Sequence, residues 1–194
     1  SDDYGNTWKD ISSTIPESPV NVIIEDPKRD SILYVGTDNG AYVTMDSGGQ
    51  YHVFASNLPA VAVHDIKIQE RENHLLLGTH GRSIYKANLA AIQGIDTAQE
   101  EQLFEVAEVK GSSRWGSTWS SWLKPFEPEM YIPYYTKYDK NYKLVVTTEE
   151  GLTLQTLPLK PSKGLNGVTY DLTMTAKARK ALEKADSSLD IVKA

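Results

Sequence analysis

The sequence predicts an all-β protein with one short helix near its C-terminal end. A segment of about 43 residues occurs twice in the first half of the chain. Short stretches rich in Val, Ile and Tyr alternate there with Asp-Pro, Asn-Gly and Gly-Gly turns, which is typical of strands. In the second half, residues 144–159 form two alternating β runs around Glu-Glu-Gly, and this pattern predicts a hairpin.

Length and composition exclude several classes of protein. The 194 residues can form one large or two modest domains. A net charge of -6, with no cluster of Lys and Arg, argues against a nucleic-acid partner. The chain has no cysteine, so it can form neither a disulfide framework nor a thiolate metal site. Since no apolar run approaches the roughly 18 residues of a membrane helix, we expect no membrane span.

The repeat is seen first in two octets. SDDYGNTW (1–8) returns as TMDSGGQY (44–51), an offset of 43, and SILYVGT (31–37) returns as NHLLLGT (73–79), an offset of 42. A period of 40–45 residues with four short strands per unit indicates a β-propeller blade. The expected strands are Val20–Glu25, Ile32–Thr37, Ala41–Thr44 and Tyr51–Phe54 in the first unit, and Val63–Gln69, Leu75–Thr79 and Ser83–Lys86 in the second. The repeat stops after Lys86.

The octets follow the pattern S/T-x-D-x-G-x-T-W, which resembles the Asp-box or BNR repeat. This repeat occurs in sialidases, xyloglucanase-type glycoside hydrolases, sortilin-like receptors and photosystem assembly factors. The second copy departs from the pattern at Gln50 and at Tyr51, which replaces Trp. The resemblance covers about residues 1–90. It implies the closing blades of a large bacterial propeller that is secreted or lies in the cell envelope, in the extracellular or periplasmic space.

The sequence divides into three parts. Residues 1–90 are the propeller blades, residues 91–104 are a polar connector, and residues 105–194 are an aromatic-rich segment with a sandwich that we expect to be incomplete. The hairpin and the strand expected in 163–173 resemble the Ig-like module that follows such propellers, although Tyr170 stands where that module usually has Trp. The run AKARKALEKA (176–185) predicts a helix by propensity.

Two blades cannot close a ring, because propellers have four to eight. We therefore expect the chain to be a fragment, or to assemble with another chain. In either case its partners are the remaining blades, which lie in the same protein or in a second one.

The residue types of the octets predict a structural role. The Gly allows a positive φ, the Asp accepts N–H bonds across the turn, the Ser or Thr hydroxyl adds a local bond, and the final aromatic packs between sheets. The alternative makes Asp3 or Asp46 a catalytic acid or base. We assign no catalytic residue, and we expect no cofactor and no metal. The structural Asp-box residues are Ser1, Asp3, Gly5, Trp8, Thr44, Asp46, Gly48 and Tyr51.

Arg82 lies in a turn, His80-Gly81-Arg82, that corresponds to Asp38-Asn39-Gly40. The resemblance to sialidases offers one interpretation, in which Arg82 clamps a substrate carboxylate. We favour a polar turn that bonds to a neighbouring blade. The sialidase set of three arginines and a Tyr-Glu pair is not recognisable in this sequence.

Residues 114–142 hold nine of the eighteen aromatic side chains. Three roles stay open: packing between the sandwich and the propeller, a platform for sugar rings, and a contact with a protein partner. The prolines of the segment favour an extended path over a helix. The candidate ligand or interface residues, together with Arg82, are Trp115, Trp119, Trp122, Tyr134 and Tyr135.

Two functional hypotheses follow. The first is a non-catalytic recognition or assembly module for protein or glycan. The second is the C-terminal part of a glycoside hydrolase whose catalytic carboxylates lie in blades missing from this chain. We favour the first, because the sequence holds no catalytic constellation.

Overall fold

The protein is mostly β. The computed structural model describes residues 1, 3–54 and 58–185, with 40% of the chain in strands and 8% in helices. This confirms the predicted predominance of β-structure. Residues 186–194, the end of the predicted sandwich, lie outside the description. The chain separates into two compact units, Ser1–Gln93 (unit 1) and Gly94–Ala194 (unit 2).

Unit 1 contains seven described strands and one short helix. They are β1 (Val20–Asp26), β2 (Arg29–Thr37), β3 (Gly40–Thr44), β4 (Tyr51–Val53), β5 (Val63–Gln69), β6 (His74–Thr79), β7 (Ile84–Asn88) and α1 (Ala90–Gln93). Unit 2 contains β8 (Glu101–Leu103), β9 (Met130–Thr136), β10 (Tyr142–Thr147), β11 (Thr153–Leu159), β12 (Gly164–Tyr170) and α2 (Ala176–Ala185).

Two antiparallel meanders make up unit 1. Sheet A has the order β1-β2-β3-β4, and sheet B has the order β5-β6-β7. The sheets meet through β5, which contacts β1 and β2. Gly36 allows this approach, because a Cβ there would lie 2.7 Å from a side-chain carbon of Val22 and 2.8 Å from the carbonyl oxygen of Val63. The core contains residues of both sheets, including Ile32, Tyr34, Val35, Ile66, Leu75 and Leu77.

A buried carboxylate joins α1 to the turn between β1 and β2. Asp26 is 2% exposed. It accepts hydrogen bonds from the Tyr34 hydroxyl at 2.8 Å and from Gln93 Nε2 at 2.8 Å. The backbone N–H groups of Lys28 and Arg29 also donate to it, at 2.8 and 3.1 Å. Burial, together with the Asp26 carboxylate, raises the pKa of the Tyr34 hydroxyl. The carboxylate is thereby satisfied inside the core.

The hairpin of β6 and β7 differs from its counterpart in sheet A. Gly36 lies opposite Ala41 in sheet A, whereas Gly78 lies opposite Ile84 in sheet B. The turn before β7 is therefore one residue longer. Ser83, which we predicted to begin the strand, has a left-handed φ of 78° and ends the turn instead. After β7 the chain enters α1, so a fourth strand does not follow directly.

Unit 2 contains a three-stranded and a two-stranded sheet. Sheet C has the order β12-β9-β8, and β10 pairs with β11 in sheet D. The β10–β11 pairing confirms the hairpin expected around Glu-Glu-Gly. Strand β8 was not predicted, because it lies in the polar connector.

Helix α2 confirms the predicted helix, and the Thr175 hydroxyl caps it by accepting from the Ala178 N–H at 3.2 Å. Within the described ranges, no helix is both long and apolar enough to cross a membrane.

Candidate functional site

The second octet forms a closed hydrogen-bonded turn between β3 and β4. The Thr44 hydroxyl donates to Asp46 Oδ1 at 2.6 Å and accepts from the Gly48 N–H at 3.0 Å. The Gln50 N–H donates to the same carboxylate oxygen at 2.9 Å. Gly48 has a φ of 94°, a conformation that strongly favours glycine. The bond from Thr44, aided by the N–H of Gln50, lowers the pKa of Asp46.

The first octet repeats this set of bonds 43 residues earlier. The Ser1 hydroxyl donates to Asp3 Oδ1 at 2.9 Å and accepts from the Gly5 N–H at 2.7 Å. The Thr7 N–H donates to Asp3 Oδ1 at 2.8 Å, and the Thr7 hydroxyl donates to Oδ2 at 2.7 Å. The backbone bond from Thr7, followed by its hydroxyl and that of Ser1, lowers the pKa of Asp3.

These bonds give both carboxylates a structural task. A carboxyl whose pKa is lowered is ionised at neutral pH, so it has no proton to give as a general acid. Among the described residues, the hydrogen bonds to the Asp3 and Asp46 carboxylates come from their own turns. The final aromatic residues differ, however: Tyr51 is 7% exposed, whereas Trp8 is 82% exposed. The local turn is the same, but only the second octet is packed into a core.

A cleft of about 910 Å³ lies in unit 2, within residues 109–129. These residues belong to no helix or strand and connect β8 to β9. The lining combines aromatic rings, hydroxyls and charges of both signs. Its residues are Val109, Lys110, Ser112, Arg114, Trp115, Ser117, Thr118, Trp119, Phe126, Glu127, Pro128 and Glu129.

Backbone hydrogen bonds hold the two sides of the cleft segment together. The Gly116 N–H donates to the Phe126 carbonyl at 2.8 Å, and the Phe126 N–H donates to the Ser117 carbonyl at 3.0 Å. On one side, the Ser117 hydroxyl and N–H both donate to the Arg114 carbonyl, at 2.6 and 3.1 Å. Gly116 has a φ of 70°, so a residue with a side chain would strain this turn. Because hydrogen bonds join its two sides, the backbone that carries the aromatic rings is held in place.

The candidate tryptophans occupy different places around this cleft. Trp115 is half-buried and lines it, and Trp119 also lines it while remaining 92% exposed. Trp122 is 82% exposed but is not part of the lining. The segment thus has one half-buried ring in the cleft (Trp115), one exposed ring in the cleft (Trp119) and one exposed ring outside it (Trp122).

Tyr134 and Tyr135 lie elsewhere in unit 2. Both are buried in β9 and line a smaller cavity of about 200 Å³, together with Tyr142 and Leu159. Burial raises the pKa of the Tyr134 hydroxyl. The buried Tyr142 hydroxyl has no hydrogen-bond partner in the described part of the chain. The structure therefore separates these two tyrosines from the tryptophans of the cleft.

Arg82 belongs to unit 1, where it is exposed in the turn between β6 and β7. The neighbouring His80 packs edge to face on His64, with ring centroids 5.6 Å apart, and its N–H donates to the Ala62 carbonyl at 2.9 Å. Among the residues that the structure describes, no group of three or more His, Asp or Glu side chains could hold a metal ion.

Sequence reasoning missed the charged part of the cleft. Lys110 and Arg114 precede the tryptophans, while Glu127 and Glu129 follow them. The sequence did contain a pattern that could have indicated these residues, because charged residues flank the aromatic run on both sides. What the sequence could not show is that the Phe126 backbone bonds bring the two flanks together.

Comparisons with protein-family models, with curated proteins and with solved structures give no match to this chain.

Proposed function

We propose that the protein is a non-catalytic recognition module and that it binds glycans in the cleft of residues 109–129. One observation carries the proposal: two tryptophans and a phenylalanine line one cleft together with charged and hydroxyl side chains. An aromatic face packs against the C–H face of a sugar ring, while polar groups beside it bond the ring's hydroxyls. The volume, about 910 Å³, is within the range of small-molecule sites.

The exposure of Trp119 supports ligand contact over core packing. A side chain that is 92% exposed contributes little to the stability of its own unit. A large, solvent-exposed apolar ring on a hydrogen-bonded backbone is typical of an interaction surface. A glycan that stacks on this ring would cover an apolar face that water now meets.

The finer features of the fold belong to the same proposal. Unit 1 would form closing blades of an Asp-box propeller, which two turns with matching bonds and two antiparallel meanders support. Unit 2 would be an Ig-like sandwich, with sheets C and D as its layers. Such a protein would be secreted by a bacterium or held in its cell envelope, where it would bind glycans at the surface.

Trp119→Ala and Trp122→Ala form a matched pair for the test. Both residues are largely exposed, so both variants should fold, yet only Trp119 lines the cleft. We expect a glycan array to identify an oligosaccharide and calorimetry to show that Trp119→Ala weakens its binding about tenfold, or ~1.4 kcal/mol. Trp122→Ala should change the affinity less than about twofold. Equal loss in both variants, or no binding at all, would refute the cleft as a glycan site.

The non-catalytic part of the proposal has its own test. The bound oligosaccharide should be recovered unchanged after prolonged incubation with the protein. Release of shorter sugars would instead favour a glycoside hydrolase.

A further inference from the structure

Tyr131 carries an exposed ring on β9, next to the cleft of residues 109–129. Its side chain is 63% exposed, whereas Ile132, the next residue of the strand, is buried. Glu129 lines the cleft, and β9 begins at the following residue, Met130. Because adjacent residues of a strand point to opposite faces, Glu129 and Tyr131 lie on the same side of Met130. At this end the cleft therefore borders the face of sheet C that carries Tyr131.

The Tyr131 ring lies across a glycine of the neighbouring strand β12. Tyr131 is opposite Thr169, which is two residues beyond Gly167, so Tyr131 and Gly167 are diagonal neighbours. A Cβ added at Gly167 would overlap the hydroxyl oxygen, Cζ and Cε2 of Tyr131, at nearly the same distance from all three. Such equal distances mean that a face of the ring, and not an edge, is turned toward the glycine. The missing side chain at Gly167 thus allows the ring to lie flat on the sheet.

This arrangement covers one face of the ring and leaves the other open to solvent. Gly167 and Thr169, which border the ring on β12, are exposed as well. A flat aromatic ring with one open face is suited to stack on the C–H face of a sugar. A ring on a paired strand is also held more precisely than a ring on a loop. Tyr131 therefore has the geometry of a stacking position beside the cleft.

The two stacking places are near each other along the chain. Two residues of a strand span roughly 7 Å, which is the spacing expected between Glu129 in the cleft lining and Tyr131. Within the cleft, Trp119 provides an exposed ring. One sugar unit can cover one ring, whereas a chain of several units can cover Trp119 and then Tyr131. The pair of rings therefore favours an extended oligosaccharide over a single terminal sugar.

We propose that the cleft continues onto sheet C and that Tyr131 is a second stacking subsite, so that the protein binds an extended oligosaccharide. This inference rests on the proposed glycan binding and adds the length of the sugar chain and its direction on the surface. Trp119 would stack on one part of the chain and Tyr131 on another. The Glu129 carboxylate, at the edge of the cleft beside Tyr131, would accept hydrogen bonds from sugar hydroxyls.

Calorimetry with sugars of different length tests the inference. The probes are the disaccharide to the hexasaccharide of the sugar that binds best on the glycan array, and affinity for the unsubstituted protein should rise along this series. Tyr131→Ala should weaken binding of the hexasaccharide about five- to tenfold and that of the disaccharide less than about twofold. Tyr131→Phe should stay within about twofold of the unsubstituted protein at every length, because it keeps the ring. Trp119→Ala should weaken binding at every length.

Tyr138→Ala is the matched control, because Tyr138 is also an exposed tyrosine of unit 2 but does not line the cleft. It should leave the affinity for every length unchanged. Gly167→Ala should reproduce the loss for the hexasaccharide, because its Cβ displaces the ring while the tyrosine remains. Thermal unfolding shows whether each variant is folded.

Two calorimetric results would overturn the extended site. One is an affinity of the unsubstituted protein that does not depend on length, and the other is an equal effect of Tyr131→Ala on the disaccharide and the hexasaccharide. In both cases a loss of binding in Trp119→Ala would leave the proposed function intact. If none of the sugars binds, both proposals fall.

Chemical protection gives a measurement that a purely structural ring would not change. Tetranitromethane nitrates exposed tyrosines, and peptide mass spectrometry reports each position separately. Saturating hexasaccharide should slow the nitration of Tyr131 at least about threefold, because a bound ligand is largely buried against its site. The disaccharide should not slow it, and Tyr138 should react at the same rate throughout. Nitration of Tyr131 that is unchanged under saturating hexasaccharide would overturn the proposal.

Discussion

The two octets of unit 1 have the same hydrogen bonds in different surroundings. In both, the first hydroxyl donates to the Asp carboxylate, at 2.9 Å in the first octet and 2.6 Å in the second, and accepts from the Gly N–H, at 2.7 and 3.0 Å. In the second octet the final aromatic, Tyr51, packs with Val35, Tyr42 and Ile15. In the first, Trp8 lies open to solvent. The comparison teaches that eight residues suffice to specify this turn, whereas its contribution to stability depends on the strands around it.

The largest difference should appear at the final aromatic. Replacing Tyr51 with Ala removes a ring from the sheet A core, so the free energy of unfolding should fall by about 3 kcal/mol. Trp8→Ala should change it by less than about 0.5 kcal/mol, because the ring is exposed. Urea denaturation of both variants provides the measurement. Equal losses would mean that the two turns are packed alike.

The glycines of the octets should show a smaller difference. A Cβ on Gly48 would lie 2.7 Å from the Ile11 Cβ, in addition to the strain of a positive φ, so Gly48→Ala should cost about 2–3 kcal/mol. In the first octet, Gly5 has a similar φ, but the nearest atom to its Cβ would be a Trp8 ring carbon at 3.8 Å. Gly5→Ala should cost about 1 kcal/mol. Thermal unfolding of the pair would show whether packing adds to the strain.

The smallest effect concerns pH. The folded-state pKa of Asp46 lies below its unfolded value near 3.8, so its stabilisation is present above that pH and is lost as the pH falls through the folded pKa. Asp46→Ala should therefore cost about 1 kcal/mol at pH 7 and progressively less below pH 4. Urea midpoints at pH 7, 5 and 3 give the test, with Asp3→Ala as the counterpart in the first octet. A gap between the Asp46 variant and the unsubstituted chain that stays constant down to pH 3 would show that the carboxylate charge is not involved.

Local sequence patterns predicted most of the strands. Alternating apolar residues and turn residues located β5 with its observed bounds and the β10–β11 hairpin within a few residues. Strands β8 and β9 were not predicted, because Glu101–Leu103 is short and polar and Met130–Thr136 lies in the aromatic, proline-containing segment. The two strands pair with each other. Strand β7 begins one residue later than predicted, because Ser83 has a left-handed φ, which a serine in the sequence does not indicate.

The candidate site was also predictable only in part, because local patterns indicate residue types but not which strands pair. The density of rings in residues 114–142 indicated a binding or packing segment, and Trp115 and Trp119 do line a cleft. Tyr134 and Tyr135 belong to the same run, but the pairing of β9 with β8 and β12 puts them in the interior of unit 2. A local sequence pattern does not predict which distant strands pair. The tyrosines and tryptophans therefore could not be separated from sequence alone.

The buried carboxylate of Asp26 has a consequence for how unit 1 folds. It accepts a hydrogen bond from Gln93, 67 residues further along the chain, and strands β2 to β7 lie between these two residues. Closing a loop of that length costs chain entropy before the contact returns any stabilisation. Sheet A thus reaches full stability only after sheet B and α1 are in place. We expect the two sheets to unfold in a single transition at equilibrium, and the folding of unit 1 to be limited by this late closure rather than by either hairpin.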